Sequence, residues 1–460
     1  MSLFLTRRAL LQDALALTAA CGLRAAPTAG KPRIRPPIFP RRTFDITKFG
    51  AVAGGGTKCT AAILKAVQAC SAAGGGRVVV PKGRFLTGAI HLESNVNLHL
   101  TEEATLLFSQ DPSDYLPAVF TRYEGVECMN YSPFIYAFEK QNVAVTGPGM
   151  LDGQADQEHW WPWAGSRRGG WKPGQPNLHH DRKKLFAMGQ NDVPVKRRVF
   201  GKGHYLRPNF VQPYRCTNVL LEDFRMKASP MWELNPVLCR NVTVRNIHID
   251  SHGPNNDGCD PEASRDVLIS NCTFSTGDDC IAVKSGRNRD GRRVGIPCEN
   301  VFIQDCHMED GHGGVSIGSE VSGGIKNIVV ERCRMSSPHL QRGLRIKTNS
   351  YRGGVIENIT FAQVTIGQVA DAAISVDFFY EEGECGPFPP AVKNIAVSDV
   401  TCQKSKYAVF FRGYANDPIS GVTISRCTFN AAAKGAFFEH VKSVNIRDTT
   451  MNGKPLQFKG

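Results

Sequence analysis

The chain has 460 residues, 42% of them hydrophobic and 21% charged. That balance excludes a disordered chain and fits two or three average domains or one large repeat domain. A net charge of +13 points to a negatively charged partner, whether nucleic acid, an acidic membrane or an acidic polysaccharide. The absence of a long Lys/Arg run or a recognition-helix pattern argues against nucleic acid.

In chain order, residues 1–30 read as an export signal and linker. Arg7 and Arg8 followed by an apolar stretch suggest the twin-arginine route, although Asp13 interrupts that stretch and a basic tail is the other reading. LTAAC matches a lipidated Cys21 only weakly. No later segment reaches the ~18 consecutive apolar residues of a membrane helix, so the expected protein is exported, periplasmic or secreted, with no membrane span. From about residue 40, FDITKFGAV, TAAILKAVQACSAAGGG and RVVVPKGRFLTGAIHL read as strand, helix and strand. The helix, apolar at Ile63, Leu64, Ala66 and Val67, stops at the glycines and would cap an open sheet end.

Between about residues 155 and 213 lies an irregular insertion holding Trp160, Trp161, Trp163 and Trp171. Its length and aromatics suggest an ordered wall beside a site. A repeat then takes over: Asn, Asp or Gly, apolar-x-apolar, two polar residues, apolar-x-apolar. It begins at Asn218, Asn241, Asp266, Asn300, Asn327, Asn358, Asn394, Gly421 and Ser443. Each copy reads as two short strands around a kink, with almost no helical periodicity between copies. Strand-rich units of this length indicate an all-β solenoid; a propeller needs longer units. A solenoid buries its core without a partner, so a monomer is expected, one domain over residues 40–460. Of the fifteen cysteines, Cys272, Cys306, Cys333 and Cys427 share one repeat position. They read as buried small hydrophobes rather than disulfides, and no paired CxxC spacing suggests zinc.

Counted from the repeat starts, Asp257, Asp278, Asp279, His312, Arg345 and Lys347 fall at similar phases of successive coils. At ~4.8 Å per coil they should share one face within about 15 Å. One Asp or His at a coil corner is ordinarily a turn residue; six in phase suggest a site. Carboxylates in a cationic frame suit glycosidic hydrolysis, with crowding keeping one carboxyl protonated. Arg345 and Lys347, two apart on a strand, can clamp a substrate carboxylate.

The segments NNDG (Asn255–Gly258), GDD (Gly277–Asp279), GHG (Gly311–Gly313) and RIK (Arg345–Lys347) stand in this order. The pattern resembles the polygalacturonase family of pectin-degrading glycoside hydrolases. That resemblance implies a right-handed parallel β-helix and an acidic galacturonan substrate, with no cofactor. It implies Asp278 as general acid, with Asp257 and Asp279 holding the attacking water. His312 would bond near Asp278, Arg345 and Lys347 would bind a galacturonate carboxylate, Asn255 would orient Asp257 or touch substrate, and Tyr380 would pack on the sugar. Inversion is implied, with carboxyls about 6.5–9.5 Å apart. Asn256 stands where the family has Thr. Exo action is favoured over endo, with the insertion and its Arg167, Arg168, Arg197 and Arg198 as the wall that meets a chain end. A hydrolase of decorated, rhamnogalacturonan-type pectin, a β-helix pectate lyase and a non-catalytic polysaccharide-binding solenoid are the alternatives.

Overall fold

Residues 34–458 are described by a computed structural model; the expected export signal and Cys21 lie outside them. The repeat copies form parallel sheets stacked coil upon coil. Two sheets of thirteen strands run the length of the structure, and a six-stranded sheet forms a third face. This third sheet comprises Ile281–Val283, Val315–Gly318, Arg342–Lys347, Ala372–Asp377, Tyr407–Arg412 and Ala436–Glu439. Single bridges carry its register back through Cys259, Leu234 and Val211. The fold is the expected right-handed parallel β-helix, its core filled by alternate inward Val, Ile, Leu and Phe side chains.

The repeat pattern has a backbone cause. The first residue of each copy has positive φ: 59° at Asn218, 55° at Asn327, 67° at Gly421. Asn, Asp and Gly adopt that left-handed conformation most readily. The amides also bond from coil to coil: Asn327 Nδ2 donates to Asn300 Oδ1 at 3.0 Å, and Asn358 Nδ2 to Asn327 Oδ1 at 3.0 Å. The second residue of the polar pair repeats the conformation, with φ 72° at Asp223 and 57° at Asp305. Each coil therefore turns at two left-handed corners. The ladder cysteines are buried, and each thiol donates to the carbonyl two residues back, Cys272 to Ser270 and Cys427 to Ser425. All described cysteines are free.

Helix α1 (Thr60–Ala72) buries Ala62, Ile63, Ala66, Val67 and Cys70 against the first coils. Two helices were not expected. Helix α2 (His179–Gln190) lies in the insertion, and α3 (Asn288–Val294) lengthens the gap between two repeat copies. The insertion is ordered on a second apolar cluster that includes Tyr123, Cys128, Leu185, Phe200 and Trp232. It joins an antiparallel hairpin, Val119–Tyr123 with Val126–Asn130, which Val199–Phe200 extends. That hairpin lies across the outward face of the coils before the third sheet. The Tyr136 hydroxyl donates to the Phe120 carbonyl, Thr121 bonds to Gln212, and Arg122 pairs with Glu262 at 3.0 Å.

Candidate active site

The third sheet places the polar motifs. Asp278 and Asp279 sit in the turn before Ile281–Val283, and His312 in the turn before Val315–Gly318. Arg345 and Lys347 are outward residues of Arg342–Lys347, whose Leu344 and Ile346 point into the core. Stacking brings the two turns together, since the His312 N–H donates to the Asp278 carbonyl at 2.9 Å. The turns require glycine. A Cβ on Gly311, at φ 151°, would lie 2.5 Å from the Asp278 carbonyl oxygen, and one on Gly313 would lie 2.9 Å from Asp279 Oδ1.

Asp257, Asp278 and Asp279 each present an oxygen within 4.8 Å of the others. Their surroundings separate them. Asp279 is fully buried; its Oδ2 accepts from Lys347 Nζ at 2.6 Å, and its Oδ1 lies 3.4 Å from Arg345 Nη1. Burial alone would raise its carboxyl, but Lys347, Arg345 and Lys284 hold it below the ordinary carboxylate range. Asp278 Oδ1 bonds His312 Nδ1 at 3.0 Å and accepts from the Asp279 N–H. That histidine bond outweighs burial and lowers the Asp278 carboxyl, and the same bond raises the imidazole. Asp257 is pushed well above the usual range, first by burial and then by Asp260 and Asp278.

The carboxyl environments thus diverge, Asp257 shifted up and Asp278 and Asp279 shifted down. Three carboxylates this close could bracket a cation, but Lys347, Arg345 and Lys284 already lie against two of them.

The NNDG turn is fixed from the insertion side. Asn255, at φ 56°, accepts from Arg207 Nη2 at 2.7 Å. Asn256 is fully buried; it accepts from Ser251 and the Gly253 N–H, and donates to the carbonyls of Ser229 and Met231. A threonine has too few polar atoms for all four bonds, so this departure tightens the turn that carries Asp257. Trp161 packs on Gly253, where a Cβ would lie 2.3 Å from the indole. Tyr380 lines the cleft beneath the cations, its ring 5.4 Å from the Arg345 guanidinium and 5.3 Å from Lys347 Nζ.

The cleft also contains residues that sequence reasoning missed: Glu124, Arg182, Trp232, Lys284, Ser319, Glu320 and Glu381. Lys284 lies 3.6 Å from Asp257, 3.5 Å from Asp260 and 3.4 Å from Glu320, with Trp232 4.5 Å below it. Its outward position in the strand after GDD was the available signal. Of the four arginines expected to meet a chain end, none lines the cleft. Arg198 is buried and paired with Asp290 at 2.7 Å, which anchors the insertion. The cleft arginine is Arg182 of α2, held by Glu124 at 2.6 Å and 4.0 Å from Glu381.

The model of glycosyl hydrolases family 28 matches residues 198–451, which include every motif above. The chain belongs to that family. A crystal structure of a hyperthermoactive exopolygalacturonase from Thermotoga maritima superposes with a TM-score of 0.90 at 45% identity, covering 92% of this chain and 94% of that one. An exo-poly-alpha-D-galacturonosidase of Dickeya chrysanthemi is 27% identical over 388 residues, 78% of this chain and 63% of that protein. A probable polygalacturonase of Vitis vinifera is 28% identical over 85% of this chain and 74% of its own length. Among the described residues no helix is long and apolar enough to cross a membrane.

Proposed function

We propose that the chain is an exo-acting polygalacturonase, hydrolysing α-1,4-galacturonosyl linkages from one end of the polymer. The observation that carries the reading is Asp278, bonded to His312 and grouped with Asp257 and with Asp279, which Arg345 and Lys347 hold. Arg345 and Lys347 take the carboxylate of the sugar on the leaving side, which packs on Tyr380. Asp278 is the acid that protonates the glycosidic oxygen. Asp257 accepts a proton from the attacking water, and Asp279 Oδ1, engaged only by the long Arg345 contact, accepts its other hydrogen. Asn255 fixes the Asp257 turn. An incoming galacturonate adds negative charge beside Asp278 and draws on Lys347, and both effects raise the Asp278 carboxyl. Substrate binding thereby favours the protonated form of Asp278.

Two features support exo action over endo. The hairpin of Val119–Asn130 covers the groove floor before the site, and Arg182 with Glu124 and Glu381 stands over the cleft. The Thermotoga and Dickeya relatives are named as exo-acting. Inversion rests on a water held by Asp257 and Asp279; proton NMR of the first turnovers should show β-galacturonate. We further propose that the basic N-terminal stretch directs export, since a polymer of this kind has to be met outside the cytoplasm, and that the enzyme acts as a monomer.

The test is release of reducing ends from polygalacturonate by the wild type and Asp278→Asn. Turnover should fall about 10³–10⁵-fold in the variant, with calorimetric binding of the polymer retained. Unsaturated, ultraviolet-absorbing products would establish a lyase instead. Unchanged function in the variant would leave a binding solenoid.

A further inference from the structure

Three strands of the third sheet follow Arg342–Lys347, and none of the roles above uses their outward face. The register across them is continuous: Arg345 pairs with Ser375, Ser375 with Phe410, and Phe410 with Phe437. Val409 and Phe411 are fully buried, so Phe410 and Arg412 point outward. At ~4.8 Å per strand, Phe410 lies about 10 Å and Phe437 about 14 Å beyond Arg345 along the helix axis.

These side chains form one apolar surface. The Phe410 and Phe437 rings are stacked 5.0 Å apart at 16°, and Tyr407 lies 5.3 Å from Phe410. The Arg412 guanidinium lies over Phe410 at 5.6 Å and over Phe379 at 4.8 Å. Phe379 and Phe437 are 38% and 37% exposed. Exposed aromatic surface in strand register with a site marks a candidate ligand-binding face. Arg412 is already bidentate to Asp377 at 2.9 Å, and Lys406 lies 3.4 Å from Asp371. The surface therefore offers apolar contact more than free charge.

The occupant follows from the blocked side of the groove. The hairpin closes the coils before the site, so any polymer beyond the cleaved sugar has to leave over the later coils. Those coils carry Ser375, a low floor, and then the two phenylalanines. We propose that Phe410 and Phe437, flanked by Tyr407 and Arg412, form a track that binds the trailing galacturonate residues of the polymer through their apolar C–H faces. The inference rests on the polygalacturonate reading above.

The experiment compares kcat/KM of the wild type, Phe437→Ser and Phe410→Ala on digalacturonate and on long polygalacturonate. Digalacturonate, which ends at the Arg345–Lys347 clamp, should be cleaved within twofold of wild type by both variants. The polymer value should fall about five- to tenfold, through KM. Phe437 is exposed, so its replacement leaves the core intact. Equal values for both substrates, or equal losses on both by Phe437→Ser, would overturn the track. So would a drop in molar mass by light scattering with polymer kinetics unchanged, since the surface would then join copies of the chain. If the wild type cleaved no galacturonan, the functional reading would fall first. The track would then stand or fall on whether Phe437→Ser weakens calorimetric binding of galacturonate oligomers.

Discussion

The first and third sheets stack residues by the same rule and use it differently. On the first sheet the stacked residues are amides. Each has a partner one coil away, and the Asn300–Asn327–Asn358 run is satisfied and uncharged. On the third sheet, stacking crowds charges instead. Asp260 is fully buried with Lys284 at 3.5 Å, and Glu233 is fully buried beside Ser251. Burial pushes both up to about 8, against the pull of Lys284 on Asp260 and of Ser251 on Glu233. A solenoid forms ladders wherever like residues fall in phase. The coils become a site where the ladder holds carboxylates that water would otherwise solvate.

The contrast is broken most severely at Lys284. Lys284→Met leaves Asp257, Asp260 and Glu320 without their shared cation. Glu320 keeps Arg287 at 3.2 Å, so the expected cost is about 1–3 kcal/mol of stability by denaturant melting, with activity lost at least a hundredfold. A variant that melts like wild type would show that the cluster is already neutral without the lysine.

Arg182→Ala sharpens the contrast without touching the ladder. The side chain is a third exposed and bonds Glu124 at the mouth of the cleft. Its loss should reduce galacturonate release about tenfold and allow short oligomers to appear among the early products, as chromatography would show.

On the first sheet, Asn327→Ala removes two amide bonds and puts at φ 55° a residue that adopts the left-handed region less readily than Asn. It should cost about 1–2 kcal/mol with kcat unchanged. Asn327→Gly, which keeps the conformation, should cost less. A fall in kcat for either would couple the ladder to the site.

The smallest effect concerns pH. With its carboxyl raised to about 8, Asp260 holds a proton in the folded chain that the unfolded chain has released above about pH 4. Its contribution is complete below pH 4 and is lost as pH rises toward 8, because the unfolded state binds fewer protons across that window. Asp260→Asn should therefore give a shallower decline of Tm between pH 5 and 8. An unchanged slope would mean that Asp260 is ionised in the folded protein.

Much of this was legible in the sequence because a solenoid turns spacing into position. The repeat gave the coils, the cysteine ladder and the phase that unites Asp278 with His312. The RIK spacing put Arg345 and Lys347 on one face. The wall was less legible. The hairpin carrying Glu124 lies outside the repeat, and its bonds reach Gln212 and Glu262, 91 and 140 residues away. Arginine content picked out Arg198, which anchors the insertion, while Arg182 sits on a helix whose mixed polarity gave no signal. The downward shift of the Asp278 carboxyl was hidden too, since it depends on the 3.0 Å His312 contact rather than on which residues are present.

The most direct measurement is a time course on polygalacturonate that separates products by anion exchange while viscosity is followed. An acid–water pair at the blocked end of a groove should release galacturonate alone from the first minutes, with viscosity nearly unchanged. A ladder of oligomers with a rapid fall in viscosity would contradict it, because the polymer would then pass through the groove that the Val119–Asn130 hairpin covers.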